Sequence, residues 1–371
     1  MQRVLITGGA GFIGSHITDQ LLASGYSVRL LDNLSPQVHS ESTRPGYLTK
    51  DAELMVGDIR DEAAVERALH GVDFVIHLAA AVGVGQSMYE IASYTSTNTL
   101  GTAVLLEQLV ARPVSRLVVA SSMSLYGEGR YRTLDGVVVD DVERSAEALR
   151  QGIWDPTDEN GDALVPLPTP ETKTPRLASV YALSKFDQER LAIVTGAAYG
   201  IPTVALRFFN VYGTRQALSN PYTGVLAIFA ARLLNDRPPL LFEDGQQRRD
   251  FVSVSDVARA CVLALEAPAD QVAGQALNVG SGRSWTVADV ARLLATTLGR
   301  DIEPELTGRS RVGDIRHCFA DVTEAAARLG YHPAATLEDG LVELADWLAD
   351  QAPEDLVPVA ARELEQRGLT V

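Results

Sequence analysis

Three glycines, Gly8, Gly11 and Gly14, stand as G-x-x-G-x-x-G directly after the apolar run Arg3–Thr7 and at the opening of a helical pattern. No other feature constrains the fold as strongly. Glycine there lets the backbone turn tightly, lets a pyrophosphate approach the first helical turn, and lets strand and helix pack closely. A purely structural turn could use the same spacing. The context favours a ligand, because Asp32 closes the next apolar run, where a carboxylate can accept from the adenosine ribose hydroxyls. A carboxylate repels a 2′-phosphate and no arginine follows in Asp32-Asn33-Leu34-Ser35, so NAD is expected rather than NADP.

The first half of the chain alternates short apolar runs with helical periodicity. Strands are expected at Arg3–Thr7, 26–32, 54–56, 74–78 and 117–121, and helices at 15–24, Glu62–Leu69 and 100–111. Nearly continuous apolar strands separated by helices imply a parallel sheet covered on both faces, doubly wound by right-handed crossovers. Helix returns at 179–199 and strand at 203–207. The remainder mixes short strands (240–242, 277–279) with helices at Val225–Leu234, 255–265, 287–298 and 337–351, which reads as a second, smaller α/β unit. The expected division is 1–180 for the dinucleotide-binding unit and 181–371 for the rest, with some of its segments returning to the first unit. Between them, 127–175 lacks a sustained apolar period and holds Pro156, Pro166, Pro168, Pro170 and Pro175. It reads as a long irregular insertion with a short helix near 141–150, either a lid over a site or a solvated loop.

Composition removes several classes. Formal charge is -16, from 32 Lys+Arg against 48 Asp+Glu, whereas a duplex-binding surface must be basic. An anionic ligand therefore needs local arginines working against the overall field. The only cysteines, Cys261 and Cys318, are distant and outside any CxxC spacing, so neither a disulfide framework nor a structural zinc is expected. No run is apolar enough to span a bilayer. The start, MQRVLITGGAGFIG, lacks the basic region and cleavage site of a signal peptide, and a cytoplasmic protein is expected.

Chemistry gathers at a few positions. Asp58, followed by Ile59 after the third strand, can accept from an adenine amino group or cap the helix that follows. Leu78, Ala79 and Ala80 are small or apolar at the end of the fourth strand, so a cofactor can lie across the strand ends. Tyr181 and Lys185 stand four apart on a helix and share a face, and a neighbouring ammonium can lower a phenol pKa enough to make a base. Ser122 ends the fifth strand at the carboxyl edge, where ligands bind in such sheets; it could share a hydrogen bond to a reacting oxygen or merely cap a loop.

In order along residues 3–345, TGGAGFIG, LLDNLS, GDIRD, HLAA, SSMSLYG, YALSK, RFFNVYG, RRDFVSVSDVA and NVGSG resemble the extended short-chain dehydrogenase/reductase family. The resemblance implies a Rossmann domain holding NAD tightly, a smaller domain for a nucleotide-diphosphate sugar, and a Ser122–Tyr181–Lys185 active site. It assigns the cofactor to Gly8, Gly11, Phe12, Ile13 and Gly14, to Asp32, Asn33, Asp58 and Ile59, and to Leu78, Ala79, Ala80, Tyr181 and Lys185. It also implies a homodimer joined through the helices at 100–111 and 179–199.

Within that family the residues after the serine separate reactions. Dehydratases and decarboxylases carry acids there; here Met123 and Ser124 supply no carboxyl for elimination. The pattern is similar to the 4-epimerases, in which a phenolate takes the proton of the sugar 4-hydroxyl, C4 loses and regains a hydride, and the keto sugar turns over in between. A net NAD(P)-dependent 4-ketoreductase is the alternative, with a dehydratase behind it. The resemblance places substrate at Ser122, Ser124, Asn210, Asn220, Arg249, Arg311 and Cys318, with Arg248 and Arg316 as competing arginines. Small Cys318 stands where bulk would limit the sugar, or else it is an inert packed thiol. Two features depart from the pattern. Val82 replaces a lysine that contacts the cofactor in UDP-galactose 4-epimerases, and the insertion widens the gap between Ser122 and Tyr181. The nucleotide base, the sugar, and C4 against C2 stay open.

Overall fold

A computed structural model describes residues 1–39, 42–311 and 313–370. Seven strands form the central sheet: β1 (Arg3–Thr7), β2 (Ser27–Asp32), β3 (Glu53–Val56), β4 (Phe74–His77), β5 (Arg116–Ser122), β6 (Thr203–Phe208) and β7 (Ala276–Val279). They lie in the order β7-β6-β5-β4-β1-β2-β3, and every pairing is parallel. The middle strands are buried on both faces, which is why their sequences read as unbroken apolar runs. Edge strand β3, by contrast, is exposed at both ends.

Helices α1 (Phe12–Ala23), α2 (Glu62–Leu69), α3 (Gly101–Ala111), α4 (Val180–Tyr199) and α5 (Val254–Glu266) cover the sheet. On one face, Ile17 and Leu21 of α1 and Val257, Cys261 and Leu265 of α5 pack with Val4, Ile6, Leu30 and Val204. On the other, Val65, Leu105, Leu109 and Ala192 pack with Leu5, Val75, Leu117 and Val119. Full burial of one such side chain contributes about 1.5–3 kcal/mol. Ser179 caps α4 by accepting from Ala182 N (3.1 Å), and Gly200, at φ 70°, ends it left-handed. Strands β6 and β7 and helix α4 lie after residue 180, so the later half of the chain completes the sheet begun by the first.

The smaller lobe packs three helices, Val225–Leu234, Val287–Thr297 and Leu337–Leu348, around Phe229, Leu233, Leu294, Leu341 and Leu344. Among the helices that sequence periodicity left out are Thr323–Leu329 and Val357–Gln366.

The insertion is not irregular. Strands Arg130–Arg132, Val138–Val139 and Val165–Leu167 form a three-stranded antiparallel sheet around Tyr131, Val142 and Leu164. The helix in it is shorter than the expected 141–150, spanning Ala146–Arg150 behind a Ser145 cap. Strands of two or three residues have too few positions to show alternation. Buried charge fixes the segment in place. Arg144 donates to Glu128 (2.9 Å), Glu243 (2.6 Å) and Asp314 O (2.9 Å), and Asp155 accepts from Arg316 (2.7 Å).

Candidate active site

Parallel register brings Thr7, Asp32, His77 and Ser122, the last residues of β1, β2, β4 and β5, to one edge of the sheet. The glycine turn sits there, and its three positions have separate reasons. Gly8 has φ 68°, and a Cβ would stand 2.9 Å from Ala79 N. At Gly14 a Cβ would meet Gly9 Cα at 2.7 Å, so α1 lies against the turn. At Gly11 a Cβ would meet only Gly8 O, at 3.4 Å, leaving an open approach to a helix N-terminus that has no side-chain cap and no acid in its first turn. This cradle suits a pyrophosphate. Phe12 and Ile13 form the first turn of α1.

The Asp32 carboxylate accepts from Ala10 N (3.0 Å) and Leu34 N (2.9 Å), which aims it from the strand end beside the turn. Asn33 reaches Asp58 (3.4 Å), and Asp58 forms an ion pair with Arg60 (2.7 Å) that holds its carboxyl near 2, far below the usual range. The alternative capping role falls instead to Asp61, which accepts from Ala63 N and Ala64 N. Ile59 is buried against Gly101, where a Cβ would come within 2.6 Å of it. Leu78 N and Ala79 N donate to Thr7 O and Thr7 Oγ1, and Gln188 donates to Ala79 O (3.2 Å), so 78–80 is fixed at the mouth of the turn.

Ser122 caps the short helical turn Met123–Tyr126, and Ser124 Oγ donates to Ser122 Oγ (2.9 Å). Across from it, burial raises the Tyr181 phenol above its ordinary pKa, while a hydrogen bond with the Ser122 hydroxyl pulls it down. The Lys185 ammonium is bonded to other groups. Lys185 Nζ donates to Ala120 O (2.5 Å) and Gln188 Oε1 (2.6 Å). Sharing a helix face brings two side chains near one another but does not aim a flexible ammonium. Burial lowers Lys185 to about 7, opposed by the Glu189 carboxylate. Glu189 is itself locked by Arg207 (2.7 Å) and by Ser121 Oγ (2.7 Å).

Of the expected substrate residues, Asn210 has its Oδ1 buried with no partner among the described residues, an acceptor left over in a packed setting. Asn220 accepts from Tyr222 N (3.0 Å) and Gln37 (3.3 Å). Arg249 donates to Arg316 O (2.9 Å), to Ile315 O and to Asp314 (3.4 Å), while Arg311 pairs with the other Asp314 oxygen (2.8 Å) and lies over Phe242 (4.4 Å). One carboxylate thus joins both expected arginines. Arg316 is removed as a competitor, since it is 1% exposed and bound to Asp155, Glu243 and Asp244. Arg248 is turned to Ser284 (3.2 Å). Cys318 is fully buried among Met123, Leu125, Tyr126 and Phe209, its thiol pushed to about 12. Val82 is exposed.

Sequence reasoning passed over several supports. A single π-turn, Thr95–Leu100, precedes α3 and carries Asn98, which bonds both Ala81 N (2.7 Å) and Ala81 O (3.0 Å) and reaches Ser184 (2.9 Å). Its one signal was an amide within an uncharged Ser/Thr run. His77 is bonded to Thr7 (2.7 Å), Thr102 (2.8 Å) and Gln188 (3.2 Å). Among the described residues no group of three or more His, Cys, Asp or Glu side chains could hold a metal, and no helix is long and apolar enough to cross a membrane.

The chain is similar to known proteins in sequence and in fold. The family described as NAD dependent epimerase/dehydratase matches residues 4–142 and 160–280. A dTDP-L-rhamnose 4-epimerase of Burkholderia thailandensis is 37% identical over 356 residues, covering 94% of this chain and 96% of that protein. A UDP-glucose 4-epimerase of Thermotoga maritima, solved with UDP-glucose, superposes with a TM-score of 0.77 at 33% identity over 94% of this chain and 99% of its own. The Thermus thermophilus UDP-glucose 4-epimerase in complex with NAD gives 0.74 at 33% identity over 95% and 100%.

Proposed function

Because this chain belongs to the NAD dependent epimerase/dehydratase family, we propose that it interconverts nucleotide-diphosphate sugars epimeric at C4 through a transient 4-keto sugar. One observation carries the choice within the family. The position beside the candidate serine and tyrosine that would need an acid for elimination holds Ser124, whose hydroxyl is bonded to Ser122. The nearest acid along the chain, Glu128, is engaged by Tyr131, Arg144 and the backbone of Arg316.

In this reading the Gly8–Gly14 turn, Asp32 and the 78–80 segment hold NAD, which supplies a reversible hydride acceptor. Tyr181 takes the proton of the sugar hydroxyl and later returns it. Ser122, whose hydroxyl opposes the rise that burial imposes on Tyr181, shares the reacting oxygen. Lys185 brings a positive charge to the same pocket, kept there by Glu189 against burial. Asn210, Arg249 and Arg311 anchor the substrate, the arginines taking a diphosphate bidentately in place of Asp314. Cys318 bounds the sugar from a packed position.

A homodimer fits the apolar residues left just before α3 and on α4, where Leu100, Leu183 and Val194 are each about half exposed. Two buried, separate thiols suit a reducing cytoplasm.

The test is incubation with a panel of UDP- and dTDP-sugars without added cofactor, followed by NMR. Epimer formation by protein that releases NAD on denaturation supports the proposal. Turnover only with added NAD(P)H would establish the ketoreductase instead.

A further inference from the structure

Helix Val357–Gln366 ties together the two sides that carry the candidate residues. On one side, Ser87 Oγ accepts from Tyr181 N (3.0 Å), and the Tyr94 ring stands edge-on to Tyr181 at 6.4 Å. The same segment presents Gly85, where a Cβ would come within 3.2 Å of Leu364, and Tyr89. On the other side stand Asn220, Tyr222 and Arg311. Glu363 reaches both sides, accepting from Tyr89 Oη (2.8 Å) and Tyr222 Oη (2.9 Å), whose oxygens lie 2.6 Å apart. Tyr222 N in turn donates to Asn220 Oδ1, a candidate substrate residue. Beyond the helix, Thr370 forms an isolated antiparallel bridge with Arg311, and Glu365 pairs with Arg309 (3.3 Å). Arg367 lies over the Tyr89 ring at 4.2 Å.

These contacts share a property. Apart from buried Leu364, the helix and the residues after it make these contacts through exposed or partly buried polar groups that water can replace, although Ser87 and Tyr94 behind Tyr89 are themselves buried. A packed structural helix would bury more. A closure that forms and breaks with each substrate has this composition, because bonds to a carboxylate are strong enough to hold and solvated enough to release.

We propose that Glu363 is a positioning residue that clasps Tyr89 to Tyr222 over a bound nucleotide-sugar and retains the keto intermediate until hydride returns. The proposal rests on the epimerase reading and extends it. In the forward half-reaction the sugar loses the C4 hydride to NAD and the hydroxyl proton to Tyr181. If the ketone escapes at that stage, the sugar leaves oxidised by two electrons and the protein keeps reduced cofactor. Retention is thus read directly as the absence of accumulating reduced nicotinamide.

The experiment uses the holoenzyme with Glu363→Ala and Glu363→Gln. With the sugar that the wild type epimerises, Glu363→Ala should build up the reduced-nicotinamide absorbance and release ketone. Its KM should rise roughly tenfold, the scale set by losing hydrogen bonds to a charged acceptor. Glu363→Gln keeps an acceptor and should restore most of the retention. Unchanged KM with no reduced cofactor in Glu363→Ala overturns the clasp. A second measurement is independent of turnover. UDP or dTDP added to wild-type protein should slow tryptic cleavage at Arg362 and Arg367, and Glu363→Ala should lose that protection. Equal cleavage with and without a nucleotide that binds overturns the clasp even where epimerisation is observed, so its failure and that of the epimerase reading are seen separately.

Discussion

Replacing Arg316 by methionine strands a buried carboxylate. Arg316 and Glu243 are each 1% exposed and 3.0 Å apart. The other partners of Arg316 differ in kind. Asp155 (2.7 Å) and Asp244 (2.6 Å) have side chains 48% and 36% exposed, so water can replace the guanidinium there at a cost of about 0–1 kcal/mol each. Glu243 has no such recourse and, among the described residues, retains only Arg144, at 2.6 Å. Breaking a buried pair from one side costs about 3–5 kcal/mol, and the surviving arginine places the expectation near about 3 kcal/mol. For a chain of 371 residues that corresponds to a Tm fall of about 4 °C. Methionine fills comparable volume, so the loss is electrostatic rather than a cavity. Adding Glu243→Gln removes the stranded charge and should recover part of the stability, a coupling that a cycle of single and double variants isolates. Urea unfolding followed by tryptophan fluorescence measures it. A loss under about 1 kcal/mol, or no recovery in the double variant, would refute the reasoning. A large KM increase with unchanged stability would instead return Arg316 to the diphosphate.

Three further outcomes are expected. Tyr181→Phe should lower turnover about 10²–10⁴-fold while leaving bound NAD, measured by release on denaturation, unchanged. Gly14→Ala should abolish NAD retention, because its Cβ would stand 2.7 Å from Gly9 Cα in the turn itself; a variant that still purifies with full NAD would contradict this. His77 is held neutral, with burial and then Lys185 lowering its pKa from 6.5 to about 3. The unfolded chain therefore binds the proton first as pH falls through 6.5, and stability is lost down to about 3, by an upper limit of about 5 kcal/mol. His77→Gln should flatten that decline in urea midpoints between pH 7 and pH 4, and an unchanged slope would count against it.

Strands β1, β2 and β4–β6 were legible because burial on both faces leaves a continuous apolar run in the sequence. The Ser122, Tyr181 and Lys185 positions were legible from their motifs, but not what each side chain bonds. Lys185 turns to Ala120 and Gln188, and no spacing rule predicts that choice. Asn98 was hidden because a π-turn breaks the 3.6-residue period that reveals helices. The segment Val357–Gln366 was hidden for a different reason. Only Ala360 and Leu364 on it are buried, too few to mark an apolar face.

The insertion failed to read as structure because its order is electrostatic. Apolar periodicity detects hydrophobic burial, whereas here, beside a small core of Tyr131, Val142 and Leu164, the buried side chains include those of Glu128, Arg144 and Lys173, residue types that sequence analysis assigns to solvent. Several of their partners lie far along the chain, at Glu243, Asp314 and Tyr126 O, so a local window shows at most part of the network. The consequence reaches the candidate site. Arg144 holds the backbone of Asp314, whose carboxylate orients Arg249 and Arg311, and Thr169 O and Glu171 hold Asn278, which accepts from Tyr126 four residues after Ser122. One end of the insertion thus steadies the candidate diphosphate arginines and the other steadies the turn that carries the serine. A freely moving lid would do neither. The buried charges favour a segment that stays fixed while the lightly packed C-terminal helix moves.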